Sequence, residues 1–487
     1  MHLLDENGLI ILIAVFGLAM LAITIVFGRG LGHHSIDGFI LANRDVPWWL
    51  GGPSVAASWT WAIALMVSVQ LAYQNGLAGA FWFIAPNICA VLIFVWLAPK
   101  LRKALPQGYS LPEWMLYRTG SKGVVAIYLI VFGFYQVMAV TVQIYAGGHL
   151  LSAATGVSVQ YLMPALLVIT LSYTLLSGLQ ASIVTDLVQL VVLLLIAGAT
   201  IAIVLASGSA LLDLNGVTSS GGINPFDPSF ALTVGLITTI GLMSGAIGDQ
   251  QLWQRALALR SGDVRKGFLF GAMLFALIPT GLSLIGFYAS GMHGSLIFPQ
   301  GIDEGMVGFV VVQQVAPAAI AIAFLMMILA GLSSTLDSGL MAWVSLAAMI
   351  RQKLWQTAPT ALTEHHLSVK ASRFHMLVLA AIGLILGYAV ESIPGFSLKY
   401  LWWFMNTMGA SVAVPTLLSL TWQRLTGRGV IVGSGINLVV GLPVVAYASA
   451  TENNTLLAVT YSLILAISAL SCYAFRSRTN TSLASNR

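Results

Sequence analysis

Two carboxylates stand where an acid is costly. Asp186, in SGLQASIVTDLVQ (residues 177 to 189), and Asp337, in AGLSSTLDSGLMA (residues 330 to 342), both interrupt long apolar runs. An ionisable group inside a membrane helix usually faces a cavity, an ion path or a partner. Cation handling is one reading of each acid; the other is that the carboxylate caps or braces neighbouring helices. Ser333, Ser334, Thr335 and Ser338 surround Asp337 in sequence. Hydroxyls of this kind often bond back to the preceding turn of their own helix. A Ser-Thr pair close to Gly331 and an acid also offers neutral oxygens, which suit a hard monovalent cation.

A third stretch, GGPSVAASWTWAIAL (residues 51 to 65), places small residues ahead of Trp59 and Trp61. Trp normally belongs to the interfacial belts of a membrane protein, and a buried indole N–H needs a partner. Irregular backbone at membrane depth is tolerated where it lines a cavity. The stretch therefore reads as a locally unwound, ligand-facing segment, with plain helix packing as the alternative. GLMSGAIG (residues 241 to 248) reads as a comparable interruption. Paired interruptions in two halves of opposite direction point to a transporter's midplane site. Gln136 and Gln143, seven residues apart, share a helical face and either line a cavity or bond between helices. Asn87 and Asn406 read as interhelical glue. His33, His34, His365 and His366 fall in loops, and no zinc-type motif is present.

The elements that must position these residues follow from composition. Of 487 residues, 58% are hydrophobic and 8% charged, where a soluble domain carries about 25% charged. A soluble enzyme is excluded, and no catalytic residue is expected. A spanning helix takes about 20 apolar residues. Thirteen candidate spans begin near residues 7, 47, 78, 123, 160, 181, 231, 267, 316, 372, 398, 429 and 454. The expected architecture is an all-α polytopic membrane protein.

With the N-terminus outside, every one of the 21 Lys and Arg residues except Lys399 falls on the cytoplasmic side. Asp5, Glu6, Asp213, Asp227, Asp303, Glu304, Glu391 and Glu452 fall outside. This asymmetry predicts an outside N-terminus and a cytoplasmic C-terminus. The net charge of +5 is shared among short loops, which fits topogenesis rather than nucleic-acid binding. Cys89 and Cys472 suggest no disulfide framework. The longest connections, residues 207 to 229 and 351 to 372, are too short for a soluble domain. The activity is therefore expected within or across the bilayer.

FILANRDVPWWLGGPSVAAS (residues 39 to 58), SGLQASIVTDLVQ, DQQLWQRALALRSGDVRKG (residues 249 to 267) and AGLSSTLDS occur in that order. With these motifs the chain resembles the sodium:solute symporter family. The resemblance implies a leucine-transporter-like fold with an inverted repeat of five plus five helices. One domain over residues 1 to 487 would hold a leading helix (about 7 to 28), repeat one (about 47 to 207), repeat two (about 231 to 423) and trailing helices (about 429 to 476). It also implies Na+ as coupling ion, without an organic cofactor. Carbonyls of Ala57, Thr60 and Gly331 and hydroxyls of Ser334 and Thr335 would bind the sodium. Asp186 resembles the family acid on the ion path, and Asp337 is grouped with it.

SWTWA followed by AYQNGLAGAFWF (residues 72 to 83) resembles the urea and polyamine branch, while TDLVQ looks like the general bacterial members. Gly245 stands where sugar-transporting relatives carry an aromatic gate, and Trp59 where proline-type members carry an acid. The expectation is a sodium-coupled symporter of a bacterial plasma membrane, working by alternating access. Its solute would be small and polar, such as urea, held by Trp59, Trp61, Gln143 and Ser244. An amino-acid or other nutrient symporter is the alternative, with a passive channel or a membrane sensor behind it.

Overall fold

The protein is described here from a computed structural model over residues 3–28, 35–207, 224–292, 296–298, 304–350, 368–393 and 398–479. The histidines at 33, 34, 365 and 366 and most of the two longest connections lie outside the described residues. With no water in hydrocarbon to satisfy backbone groups, apolar runs close their hydrogen bonds as helices. The first are α1 (Glu6–Gly28), α2 (Ile36–Leu41), α3 (Trp48–Trp59), α4 (Ala62–Leu92), α5 (Phe94–Ala104) and α6 (Leu111–Thr119). Then come α7 (Lys122–Thr155), α8 (Val159–Ala206), α9 (Leu236–Gly248), α10 (Gln250–Ala258), α11 (Val264–Gly291) and α12 (Val307–Val315). The chain continues through α13 (Ala318–Met349), α14 (Val369–Glu391), α15 (Leu398–Thr421), α16 (Gly427–Ile436), α17 (Leu442–Ala450) and α18 (Asn454–Ala474).

Among the described residues, eleven helices are long and apolar enough to cross a membrane. The chain is an integral membrane protein. Two of the thirteen expected spans are not among the eleven. The second is divided at Thr60 between α3 and the start of α4. The eleventh is α15, whose Trp402, Trp403, Asn406 and Thr407 dilute its apolar character. Two glycines turn the chain inside long helical runs. Gly76 in α4 has φ 55 and ψ −139, and Gly178 in α8 has φ 66 and ψ −175. L-residues avoid this region and glycine does not. At Gly178 a Cβ would also come within 2.8 Å of the Phe39 carbonyl oxygen.

Burial separates centre from periphery. In α13, 72% of the most apolar window is enclosed, against 28% in α1. All nine residues of α10 are buried. A strap joins the entry of α3 to the exit of α10: Val46 N–H donates to the Ala258 carbonyl at 3.2 Å, and Arg260 N–H to that of Val46 at 2.9 Å. Arg260 also donates to Asp45 at 2.6 Å and holds that exposed carboxyl below its usual range. Both interrupted helices, α3–α4 and α9–α10, are thus tied at one end.

Candidate functional site

The first interruption lies at Thr60 and Trp61. Thr60, with φ −83 and ψ 68, leaves the helix after Trp59; Trp61, with φ −68 and ψ 162, precedes α4. Thr60 N–H donates to the Ala57 carbonyl at 3.0 Å, a turn tighter than an α-helix. Across from it, Thr335 Oγ1 of α13 donates to the Thr60 carbonyl at 3.1 Å. Gly331 lies one turn earlier on α13, where a Cβ would come within 2.7 Å of Leu65 Cδ1. Ser334 is turned another way and donates to Asp186 Oδ1 at 2.5 Å. The broken segment and α13 therefore meet through backbone and hydroxyl oxygens. These are the donor types a hard monovalent cation takes.

Asp186 is the centre of a buried network. It also accepts from Ser54 Oγ at 2.5 Å and from Arg255 Nη2 at 3.3 Å. Arg255 comes from α10 and also donates to Ser54 at 3.2 Å and to Ser338 at 2.6 Å. Asp337 Oδ1 accepts from Ser182 at 3.0 Å and Ser338 at 3.3 Å, while its Oδ2 has no partner among the described residues. Charge counting along the sequence placed Arg255 among loop residues. It is 1% exposed and faces the acid of α8. Its one sequence signal is its place in DQQLWQR, among three glutamines, on a segment that turns out to have no solvent face.

Beyond the break lies a cavity of about 40 Å³, lined by Trp59, Trp61, Tyr135, Phe83, Gly245 and Asn406, among others. None of the described side chains lining it is charged. Trp59 Nε1, Trp61 Nε1 and the Tyr135 hydroxyl are buried without a hydrogen-bond partner among the described residues. With its amide oriented to satisfy both atoms, Asn406 donates to the Gly241 carbonyl and accepts from Trp402 Nε1, each at 3.1 Å. Of the four residues expected to hold solute, Trp59 and Trp61 line the cavity. Gln143 and Ser244 do not. Gln143 Oε1 accepts the Ala62 N–H at 3.0 Å and so caps the restart of the helix. Ser244 is buried where its carbonyl lies against Gly409.

The stretch 241 to 248 is helical throughout, and the interruption falls one residue later, at Asp249 with φ −97 and ψ 118. Its glycines serve close approach instead. A Cβ on Gly241 or Gly245 would come within 2.9 or 2.8 Å of Asn406, and one on Gly245 within 2.8 Å of the Tyr135 hydroxyl. Tyr135 thus fills the room that Gly245 leaves. Sequence reasoning missed Tyr135, because nothing local distinguishes it from the other aromatic residues of α7.

With this geometry in view, comparison with known proteins defines the class. The profile of the sodium:solute symporter family matches residues 39 to 436, and the chain belongs to that family. It is 23% identical over 449 residues to the "Urea-proton symporter DUR3" of Oryza sativa subsp. japonica, covering 85% of this chain and 61% of that protein. It is 26% identical over 449 residues to the "Probable urea active transporter 1" of Schizosaccharomyces pombe, covering 84% and 64%. The chain therefore spans about three fifths of the length of these curated relatives. Among solved structures, a Na+-coupled sialic acid symporter superposes with a TM-score of 0.76 at 18% identity, over 96% of this chain and 98% of that one. The two share a fold.

Proposed function

We propose that the chain is a sodium-coupled symporter that imports a small neutral polar solute, urea or a close analogue, by alternating access. The observation that carries this is the uncharged cavity with three unpartnered donors, set against the oxygen-rich crossing of Thr60 and Thr335. One buried water needs roughly 10–15 Å³ by this measure, so about 40 Å³ suits a few heavy atoms and not a sugar ring. The indole N–H groups of Trp59 and Trp61 and the Tyr135 hydroxyl would donate to the carbonyl oxygen of urea. Family membership and the printed names of the urea-transporting relatives support the choice.

Sodium would be held by the carbonyls of Ala57, Thr60 and Gly331 and the hydroxyls of Ser334 and Thr335. Thr60 lies between the two tryptophans in the chain, so an ion fixing Thr60 also fixes the donors offered to solute. Coupling of this kind is reciprocal: solute raises sodium affinity by the same factor. Asp186, bonded to Ser334, would receive the ion on its way inward, with Asp337 beside it. The arrangement is read as thirteen spans over residues 1 to 487, built on two inverted repeats of five. The N-terminus would face outward, in a bacterial plasma membrane.

Urea uptake into proteoliposomes under an inward sodium gradient, a proton gradient or potassium alone tests the reading. Accumulation above equilibrium only with sodium supports it. Accumulation driven by protons alone moves the coupling ion to H+, as in the name of the rice relative. Equal downhill flux in all three makes the chain a channel.

A further inference from the structure

One residue past the end of α9, and one helical turn along from the cavity-lining Gly245, three fully buried polar side chains meet. Asp249, Gln136 and Gln251 are each 0% exposed. Asp249 caps α10: its Oδ1 accepts the Gln251 N–H at 2.9 Å and Gln136 Nε2 at 3.2 Å. The rest of the cluster is unmet. Asp249 Oδ2, Gln136 Oε1 and both polar atoms of the Gln251 carboxamide have no partner among the described residues. Gly339 of α13 packs beside them: a Cβ there would come within 2.8 Å of Ala139 Cβ and lie 3.7 Å from both Gln136 Oε1 and Gln251 Nε2. Leaving a buried carboxamide wholly unpaired is costly. An enclosed unsatisfied group in a native protein calls for an occupant or a role.

The unmet atoms have a definite character. Three are acceptors, Gln136 Oε1, Asp249 Oδ2 and Gln251 Oε1, and one is a donor group, Gln251 Nε2. The central cavity has the opposite character, with donors from Trp59, Trp61 and Tyr135. A planar amide with several N–H groups and one carbonyl satisfies the inner set. Its carbonyl would take Gln251 Nε2–H while one N–H would return to Gln251 Oε1, leaving further N–H groups for Asp249 Oδ2 and Gln136 Oε1. Tyr135 lines the central cavity, and a Cβ on Gly248, which directly precedes Asp249, would lie 3.3 Å from the Tyr135 ring, so the two sets are near each other.

We infer that Gln136, Asp249 and Gln251 form an inner binding station for urea-type or primary-amide solutes, occupied after the central cavity and before release. This inference rests on the functional reading above and adds a second site to it. Two variants test it with little risk to the fold. Asp249→Asn keeps the helix cap and turns the unmet oxygen into an N–H donor. Gln251→Met keeps the side chain's length and removes both polar atoms.

Sodium-dependent urea binding to the purified protein is measured beside uptake into proteoliposomes, with N-methylated ureas as a second series. In each variant uptake should fall about ten-fold while half-saturation of binding stays within about two-fold, the loss of one to two hydrogen bonds from one station only. The preference of uptake for urea over N-methylurea, which has one N–H fewer, should shrink in both variants. Unchanged uptake in both makes the cluster a water pocket and overturns the station. An equal fall for urea and N-methylurea makes it a structural brace and overturns it too. Absence of sodium-dependent urea uptake by the unaltered protein overturns the functional reading, and the station with it.

Discussion

Arg255 Nη2 and Asp186 Oδ2 lie 3.3 Å apart with both side chains enclosed, 1% and 0% exposed. The pair joins α10 to α8 beneath Ser334, which bonds to the same carboxylate. Whatever loosens this contact frees a helix end and a proposed sodium ligand together. A buried pair of this kind contributes little over an apolar substitute, but breaking it by removing one partner is expensive.

Arg255→Gln should therefore lower stability by about 3–5 kcal/mol, because Asp186 and Asp337 are left enclosed without a cation. Adding Asp186→Asn to the same chain should recover at least half of the loss. Unfolding midpoints in detergent for the single and double variants check this. A double variant as unstable as the single would mean that the guanidinium acts through Ser54 and Ser338 instead.

Replacing Ser334 and Thr335 together with Ala should leave a folded, monodisperse protein whose apparent sodium affinity falls about ten-fold or more, since two proposed ligand oxygens are lost. Solute uptake titrated with sodium reads the effect. An unchanged sodium dependence would remove both hydroxyls from the ion site.

Trp59→Phe and Tyr135→Phe each delete one donor from the cavity while keeping an aromatic ring. A neutral hydrogen bond is worth about 0.5–1.5 kcal/mol, so half-saturating urea should rise roughly two- to twelve-fold in each variant. Half-saturating sodium should move less. If neither constant moves for Trp59→Phe, that indole is packing alone.

Gly178→Ala should destabilise the protein by about 1–3 kcal/mol from backbone strain alone, with the approach to the Phe39 carbonyl added to it. Gly198, on the same helix with open space where a Cβ would stand, is the control. Gly198→Ala should be neutral or slightly stabilising. Comparison of the two unfolding midpoints separates a required glycine from a tolerated one.

Composition and the lengths of the apolar runs by themselves determined that this is a helical membrane protein, because hydrocarbon leaves the backbone no other way to bond. The break at Thr60 and Trp61 was also legible, since two tryptophans at mid-span are out of place unless they face something. Thr335 and Asp186 stood out as polar groups whose burial has a cost. What faces each of them was not legible. Helical spacing tells which side of a helix a residue occupies, never which distant helix lies opposite. Only the tertiary structure set Arg255 against Asp186, turned Gln143 to cap α4 rather than line the cavity, and put Tyr135 into the room left by Gly245. The glycines of residues 241 to 248 make the same point: they looked like a break, and the fold uses them to bring α9 against Asn406 and Gly409 of α15. Close packing between segments far apart in the chain leaves no local trace in either one.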